Sequence, residues 1–449
     1  MKDLIEQCRQ HGEVVDVHAE VSPEFEAAAI VAEVQAAGNQ VVVFHRISGF
    51  DMQVVANLYG DRARLRRMLR VPDGMPACAA LDRYIAECQS PSLTSTCPAG
   101  EEAGTWQETT LSALPVLTHH EEDAGAYITT GIVIVRDPDS GVHNLSFHRG
   151  LRVSDKELRI SIGPRHDLGR MQARAEARGQ ALEVAMLVGV SGPLFLAACT
   201  SIPEGADELA LASCIAGRPI AMRPSGIAGL AVPAETQIVI EGRILPGERR
   251  PEAPFGEWMG YYMPEKQSHV FEVTRVERRT DACFHALLCG SNDDLRPLEL
   301  STAARIYKTL SAQFPGVLDV VCHPNMLCTV IQLRPEYEGQ ARQVLMAAVA
   351  AHFFYSKMCI VVDDDVDPAN MDDVMWAFLT RARPDQRATV LQDLPGFYRD
   401  PHKDHWGRLI LDATKPWGRE QEFRRVRIPG REQVRLHELL DVPPIERKE

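Results

Sequence analysis

The sequence has no CxxC pair, no internal repeat, no unbroken apolar run long enough to cross a membrane and, before its C-terminal tail, no cluster of lysine and arginine. Each absence excludes something. The 11 cysteines are odd in number and scattered, so they read as reduced intracellular thiols, not a disulfide frame. In "VCHPNMLC", Cys322 stands beside His323, but the spacing fits no standard zinc module. The longest apolar stretch, "AMLVGVSGPLFLAACTSI", is interrupted by Gly, Ser and Pro. It reads as a buried strand–turn–strand and not as a membrane span. Met1 to Gln10 lacks the apolar run of a signal peptide, and a cytoplasmic chain is expected. Lys and Arg number 48 against 62 Asp and Glu, a net charge of −14. Without clustered positive charge a nucleic-acid partner is disfavoured, and the acidic balance speaks to solubility.

What is present is a chain of 449 residues, 45% hydrophobic, enough for two or three domains. "SPEFEAAAIVAEVQAAG" predicts a helix starting at Ser-Pro and ending at Gly38. "QVVVFHRI" predicts a strand and "DRARLRRML" a charged helix, together a small α/β unit. Residues 91–110 are polar and Gly/Ser/Thr-rich, and read as a linker or long loop. From about 111 to 300 the pattern is mostly β. In "YITTGIVIVRDPDSGVHNLSFHRGLRVSD" two strand-like runs flank a turn signal, and "ETQIVIEGRIL" and "HVFEVTRVERR" alternate with period two. A barrel or sandwich is expected. After about 301, "GQARQVLMAAVAAHFFYSK", "MCIVVDDDVDP" and "NMDDVMWAFLTRA" read as helix, strand and helix of a second α/β unit. The tail "REQEFRRVRIPGREQVRLHELL" reads as surface or subunit contact.

Candidate chemistry is scattered. In "HNLSFHRG", Asn144 and Arg149 fall on opposite faces of a strand unless the chain bends; from this segment alone a strand end with a solvated Arg is the favoured reading. "IGPRHDLG" offers Arg165 and His166 in a turn, where a lone His is usually a surface residue. In "PEGADELALASCIAG", Asp207 and Glu208 suit a helix N-terminus. The acids of "MCIVVDDDVDP" suit either a hard cation or a helix cap. Only "PEAPFGEWMGYY" is odd by itself: Glu252 and Glu257 share a rigid, non-helical loop with aromatics, the pattern of a two-carboxylate site.

Four ordered motifs resemble the UbiD family of reversible decarboxylases, which use prenylated FMN, and the resemblance covers most of the chain. They are "RDPDSGVHNLSFHR", "VPAETQIVIEG", "PEAPFGEWMGYY" and "CIVVDDDVDPANMDDVMWA". The resemblance implies an α+β chain: an N-terminal α/β segment (1–110), a central split β-barrel flavin-binding domain (111–300) and a C-terminal α/β oligomerisation domain (301–449). It implies prenylated FMN and Mn²⁺, with K⁺ as a further ion. Asn144, His166 and Glu208 fall on the metal ligands. Leu145, Ser146, Phe147, His148, Arg149, Arg165 and Lys357 fall with them on cofactor contacts, Lys357 on phosphate. Arg149, Glu252 and Glu257 fall on a Glu–Arg–Glu triad, with Glu257 as general acid and Glu252 holding Arg149. One arginine serving two acids in a low-dielectric pocket lets one acid stay protonated near neutral pH.

The implied activity is non-oxidative, reversible decarboxylation of an α,β-unsaturated or aromatic acid through a covalent adduct with the prenylated flavin. The implied partners are a flavin prenyltransferase as cofactor supplier and further copies of the chain, as a homodimer or larger oligomer. Two other readings stay open: a split-barrel flavin reductase using FMN, and an inactive homologue that only binds the cofactor. Ala253 stands where the family usually has Gly, Trp258 stands at a variable position, and "DLPGFYRDPH" departs from the family's Pro-Gly-Ser stretch. Those positions border the substrate pocket in the family, so the acid itself is not implied.

Overall fold

A computed structural model of the chain describes residues 1–88, 94–96, 104–164, 166–203, 205–264, 266–352, 355–397, 400–402 and 405–434. Helices and sheets are interspersed in an α+β architecture, in two compact units, 1–304 and 305–449. Arg165, residues 97–103 of the expected linker and the tail beyond 434 lie outside the described residues.

In the first unit, the strands Val14–Val21 and Val41–Ile47 pair in parallel across the helix Glu26–Ala37, whose apolar face is buried. The helix starts later than Ser22-Pro23 suggests. Ser22 instead donates its backbone N–H to the Glu26 carboxylate at 2.7 Å, and Phe25 takes a positive φ at the turn. Gln53–Ala56 adds a third strand, and a fourth, Cys283–His285, arrives from far along the chain to pair in parallel with it. The expected linker contains two strands. Thr94–Thr96 pairs with Ile220–Pro224, and Trp106–Thr109 with the end of Lys266–Arg279. Polar composition hid them, because both are short and gain their ladder partners more than a hundred residues away.

The central feature is a nine-stranded antiparallel sheet. Its path runs Tyr127–Ile128, Gly150–Ser154, Glu157–Ile160, Lys266–Arg279, Ile238–Glu252, Leu182–Val188, Ile132–Arg136 and His143–Phe147, with Trp106–Thr109 off this path. Among the described residues no ladder joins the two edges, so the barrel is not closed. It must nevertheless be rolled. His143–Phe147 is one edge and Gly150–Ser154 lies next to the other, yet only His148 and Arg149 connect them. Three peptide units span at most about 11 Å. The edges therefore face one another across a seam, and Arg149 stands in it. Asn144 and Arg149 are thus not two faces of one strand, because the chain bends between them.

The long apolar stretch at 185–202 is half strand and half helix. Leu182–Val188 turns at Gly189 (φ +73°) into the helix Gly192–Cys199. Pro193, read as part of a turn between strands, sits in the first helical turn, where its missing N–H costs nothing. One apolar core runs from Val42 and Phe44 through Val116, Met186 and Ile240 to Phe271 and Phe284, so it joins the small sheet to the rolled one.

The second unit holds a five-stranded mixed sheet, ordered Val317–Val321, Cys328–Leu333, Met358–Val362, His405–Asp412 and Ala388–Pro395. The acid run after Met358–Val362 is taken up by cations. Arg381 bonds Asp363 at 2.7 Å and Asp365 at 2.9 Å, and Lys415 lies 3.0 Å from Asp365. Asn370 caps the helix Met371–Arg381. No helix among the described residues is long and apolar enough to cross a membrane.

Candidate functional site

Glu252 ends the strand Ile238–Glu252, paired across from Lys266, and is wholly buried. A small hairpin, Phe255–Gly256 against Tyr262–Met263, follows directly, and Glu257 opens its turn with its N–H bonded to Tyr261 O at 3.0 Å. The hairpin is clasped from residues 120–124. Asp123 accepts from Gly256 N at 2.8 Å, Ala124 N–H donates to Pro254 O at 2.9 Å, and Glu122 N–H to the Tyr262 hydroxyl at 3.2 Å.

Across the seam, Arg149 reaches both acids. Its Nε and Nη2 donate to Glu252 at 2.9 and 3.2 Å, and its Nη1 donates to Glu257. Ser268 adds a hydroxyl donor to Glu252 at 3.2 Å. The guanidinium lies 4.4 Å from the centre of the Phe255 ring, which in turn packs on Tyr127. Burial alone would lower the guanidinium's proton affinity; Glu257 and Glu252 outweigh it and hold the cation firmly charged. Burial, then the nearby Glu252, pushes the Tyr127 phenol up. A fork of planar N–H donors shared by two buried carboxylates is a strong, orienting contact.

A second cluster lies on the sheet edge. Asn144 donates to one Glu208 oxygen at 3.2 Å and Leu145 N–H to the other at 3.0 Å. Burial raises the Glu208 carboxyl to about 8 despite the Leu145 bond. Asp207, beside it, caps its own helix by accepting from Leu209 N. His166 is exposed at the start of the helix Asp167–Ala177. Neighbours link it to Asn144: Ser146 lies 3.2 Å from Asn144 Oδ1 and 3.0 Å from His148 Nε2, and the His148 ring is 6.3 Å from that of His166. His148 Nδ1 faces the Ser161 carbonyl at 3.1 Å, so it must donate. Phe147 packs edge-on against Phe195. In the second unit, Lys357 pairs with Asp400 and lies 4.4 Å from the Trp406 ring centre. Among the described residues no group of three His, Cys, Asp or Glu side chains gathers as a metal site.

Tyr127, Ser268 and Asp123 were invisible in sequence, since each meets the acids from another segment, whereas Phe255 belongs to the aromatic loop itself. The "HHEED" run at 119–123 was the one local signal that could have pointed to the clasp. His119 within it is buried, and both ring nitrogens lack a partner among the described residues. Burial lowers it from 6.5 to about 4. A depressed histidine contributes stability above its unfolded value, and that contribution is lost as pH falls toward the folded one. At about pH 5 the loss is roughly 2 kcal/mol. Denaturant melts at about pH 7 and pH 5 should therefore show a smaller acid loss in His119→Phe than in the parent; equal losses would refute the assignment.

Three family models match in order: the N-terminal domain of 3-octaprenyl-4-hydroxybenzoate carboxy-lyase at residues 5–83, its Rift-related domain at 92–292 and its C-terminal domain at 298–413. Anhydromevalonate phosphate decarboxylase of Methanothermobacter thermautotrophicus is 32% identical over 435 residues, 95% of this chain and 99% of that protein. The protein of the same name from Methanosarcina mazei is 30% identical, covering 95% of this chain and 99% of its own. Among solved structures, the UbiD-class enzyme HmfF from Pelotomaculum thermopropionicum in complex with FMN superimposes with a TM-score of 0.91 at 32% identity, covering 98% of this chain and 99% of that one. An evolved dimeric form of HmfF in complex with prFMN gives 0.87 at 31%, covering 98% and 99%.

Proposed function

This chain belongs to the UbiD family of carboxy-lyases, and from that premise we propose that it decarboxylates an α,β-unsaturated or aromatic acid, reversibly and without net redox change, with prenylated FMN and Mn²⁺. The observation that carries the reading is Arg149 held in the seam between Glu252 and Glu257. A flavin reductase has no use for that arrangement.

The residues present fit the cofactor. Asn144 and Glu208 offer oxygen and His166 offers imidazole, a hard mixed set suited to Mn²⁺ and not to a thiolate metal. Glu208, kept near neutral by burial, would surrender its proton on meeting a cation. Prenylated FMN, when bound, supplies the electron sink for the pair left by departing CO₂. This chain's own residues do the rest. Glu252, wholly buried and tied to Ser268, fixes two arms of Arg149. The guanidinium, so fixed, orients the substrate carboxylate and holds Glu257 in reach. Glu257 gives its proton to the carbon that has lost CO₂; in the reverse direction it takes that proton back. Lys357 as a phosphate contact belongs to the same proposal. Further copies of the chain, in a homodimer or larger oligomer, and a flavin prenyltransferase belong to the same proposal.

The test is expression with and without a flavin prenyltransferase. The holoprotein from coexpression should turn over acids from a panel of cinnamic, phenolic, heteroaromatic and dienoic acids plus anhydromevalonate phosphate, and mass spectrometry should find the prenylated flavin in it. Full activity with plain FMN would reject the cofactor. His166→Ala should retain less manganese and flavin, by at least the roughly 10–100-fold affinity loss of an outer-shell change; normal metal content would remove His166 from the ligand set.

A further inference from the structure

The mechanism leaves a third acid next to Glu257 unused. Asp294 lies in the first turn of the helix that begins at Asn292. It sits deep in the unit yet keeps a partly accessible side chain. Its Oδ2 accepts from Gly290 N at 2.8 Å. Gly290 (φ +79°) presses on the acid loop: a β-carbon built there would stand 3.1 Å from both Cα and O of Trp258, the residue after Glu257. Asp294 is thus tied, through one hydrogen bond and one close backbone contact, to the turn that carries Glu257. Cys289, the residue before Gly290, has a buried thiol raised by that burial first and then by Asp294 and Glu257.

The groups around Asp294 are few. On its own helix, Asp293 turns away: it accepts from Tyr59 N at 2.5 Å and lies 3.8 Å from His285 Nε2. Cys199, at the end of the helix Gly192–Cys199, and Cys289 are both held as neutral thiols by burial. The remaining charges are Glu257 and, beyond it, Arg149. Arg149 is already divided between two acids, so no cation answers Asp294 from these elements.

We propose that Asp294 is a positioning residue for the reaction: tied through Gly290 to the turn that carries Glu257, its negative charge keeps the Glu257 proton in place until the reacting carbon takes it. The inference rests on the reading of Glu257 as proton donor. Like charges in one poorly solvated site disfavour each other's ionised forms. Burial first, and Glu257 next among the raising influences, lift the Asp294 carboxyl to about 6. Above that pH it is an anion, so its influence on Glu257 is present in the neutral and alkaline range and vanishes in acid.

Helix capping is the competing explanation, and one substitution separates the two. Asp294→Asn keeps an oxygen to accept from Gly290 N but removes the charge. In the coexpressed holoenzyme, with the panel acid turned over fastest, the alkaline limb of the kcat profile should move about one pH unit lower, the order of shift that one nearby like charge produces. KM should stay within about twofold, since Asp294 does not touch the substrate. Asp294→Glu should move the limb back. A limb in Asp294→Asn that superimposes on the parent, whatever the absolute rate, overturns the proposal and leaves capping. If Asp294→Asn does not fold, Asp294→Ser keeps a smaller acceptor and is read the same way. Glu257→Gln provides the control. If it stays active, the donor assignment fails; if it is dead while Asp294→Asn has a parental profile, only the present inference fails.

Discussion

Glu257→Gln should stop turnover while the protein keeps its fold and its cofactor. Glutamine matches glutamate in shape, and its carbonyl oxygen can still accept from Arg149 Nη1. The turn bond from residue 257 N–H to Tyr261 O is a backbone bond and survives. What is lost is the transferable proton, and general acid help is worth roughly 10²–10⁴ in rate. Glu252→Gln should also slow the enzyme, by a different route. It weakens the fork that fixes Arg149 but leaves the donor in place. Solvent deuterium separates the two. In D₂O the parent enzyme should place one deuterium on the carbon that carried the carboxyl. Glu257→Gln should lose both decarboxylation and exchange at that carbon, whereas Glu252→Gln should retain slow exchange. Near-parental exchange in Glu257→Gln would mean that the proton comes from elsewhere.

Arg149→Met should be the most destabilising single change in the site. It removes the cation that the two buried carboxylates share, and leaves Glu252 the Ser268 hydroxyl in its place. Breaking a buried pair by removing one partner typically costs about 3–5 kcal/mol, a large share of a domain's stability. The sign with pH is also determined. The stranded carboxylates can shed their charge only by taking protons in the folded state, so the folded variant binds more protons than its unfolded chain. Its stability is then present in acid and lost as pH rises. Denaturant melts should show Arg149→Met closer to the parent in acid than in base. Adding Glu252→Gln and Glu257→Gln, which removes the unpaired charges, should recover stability without recovering activity. Arg149→Lys keeps a charge but not the fork, and should fall between the two in stability. A pH-independent loss in Arg149→Met would show that the pair is not what the arginine stabilises.

Much of the fold was legible because it is local. The hairpin around Asp-Pro-Asp-Ser-Gly, the long alternating strands Ile238–Glu252 and Lys266–Arg279, and the Asp207 and Asn370 caps follow from turn chemistry, side-chain period and short-range hydrogen bonding. The misreadings were also local in origin. The apolar stretch with Pro193 read as strand–turn–strand although a helix tolerates Pro in its first turn, and Thr94–Thr96 and Trp106–Thr109 were too short and polar to declare themselves. The acid run at Asp363–Asp365 was open between cation site and capping, and was resolved by Arg381 and Lys415, neither of which is near it in sequence.

The sequence by itself determined that Glu252 and Glu257 share one non-helical segment, because Pro251, Pro254 and Gly256 deny it a helix, and its ordered motifs carried the family. Spacing and period could not place Arg149, more than a hundred residues earlier, against them; only the family resemblance put the three together. Tertiary structure decided the placement. Two residues joining opposite ends of a nine-stranded sheet force it to roll, and the rolled edges bring the arginine into the seam opposite the acids. The same holds for Asp123, Tyr127, Ser268 and Asp294, which meet the hairpin through contacts that no period or spacing encodes. Strand period and turn chemistry act over a few residues, whereas a low-dielectric site exists only once distant segments have excluded water together.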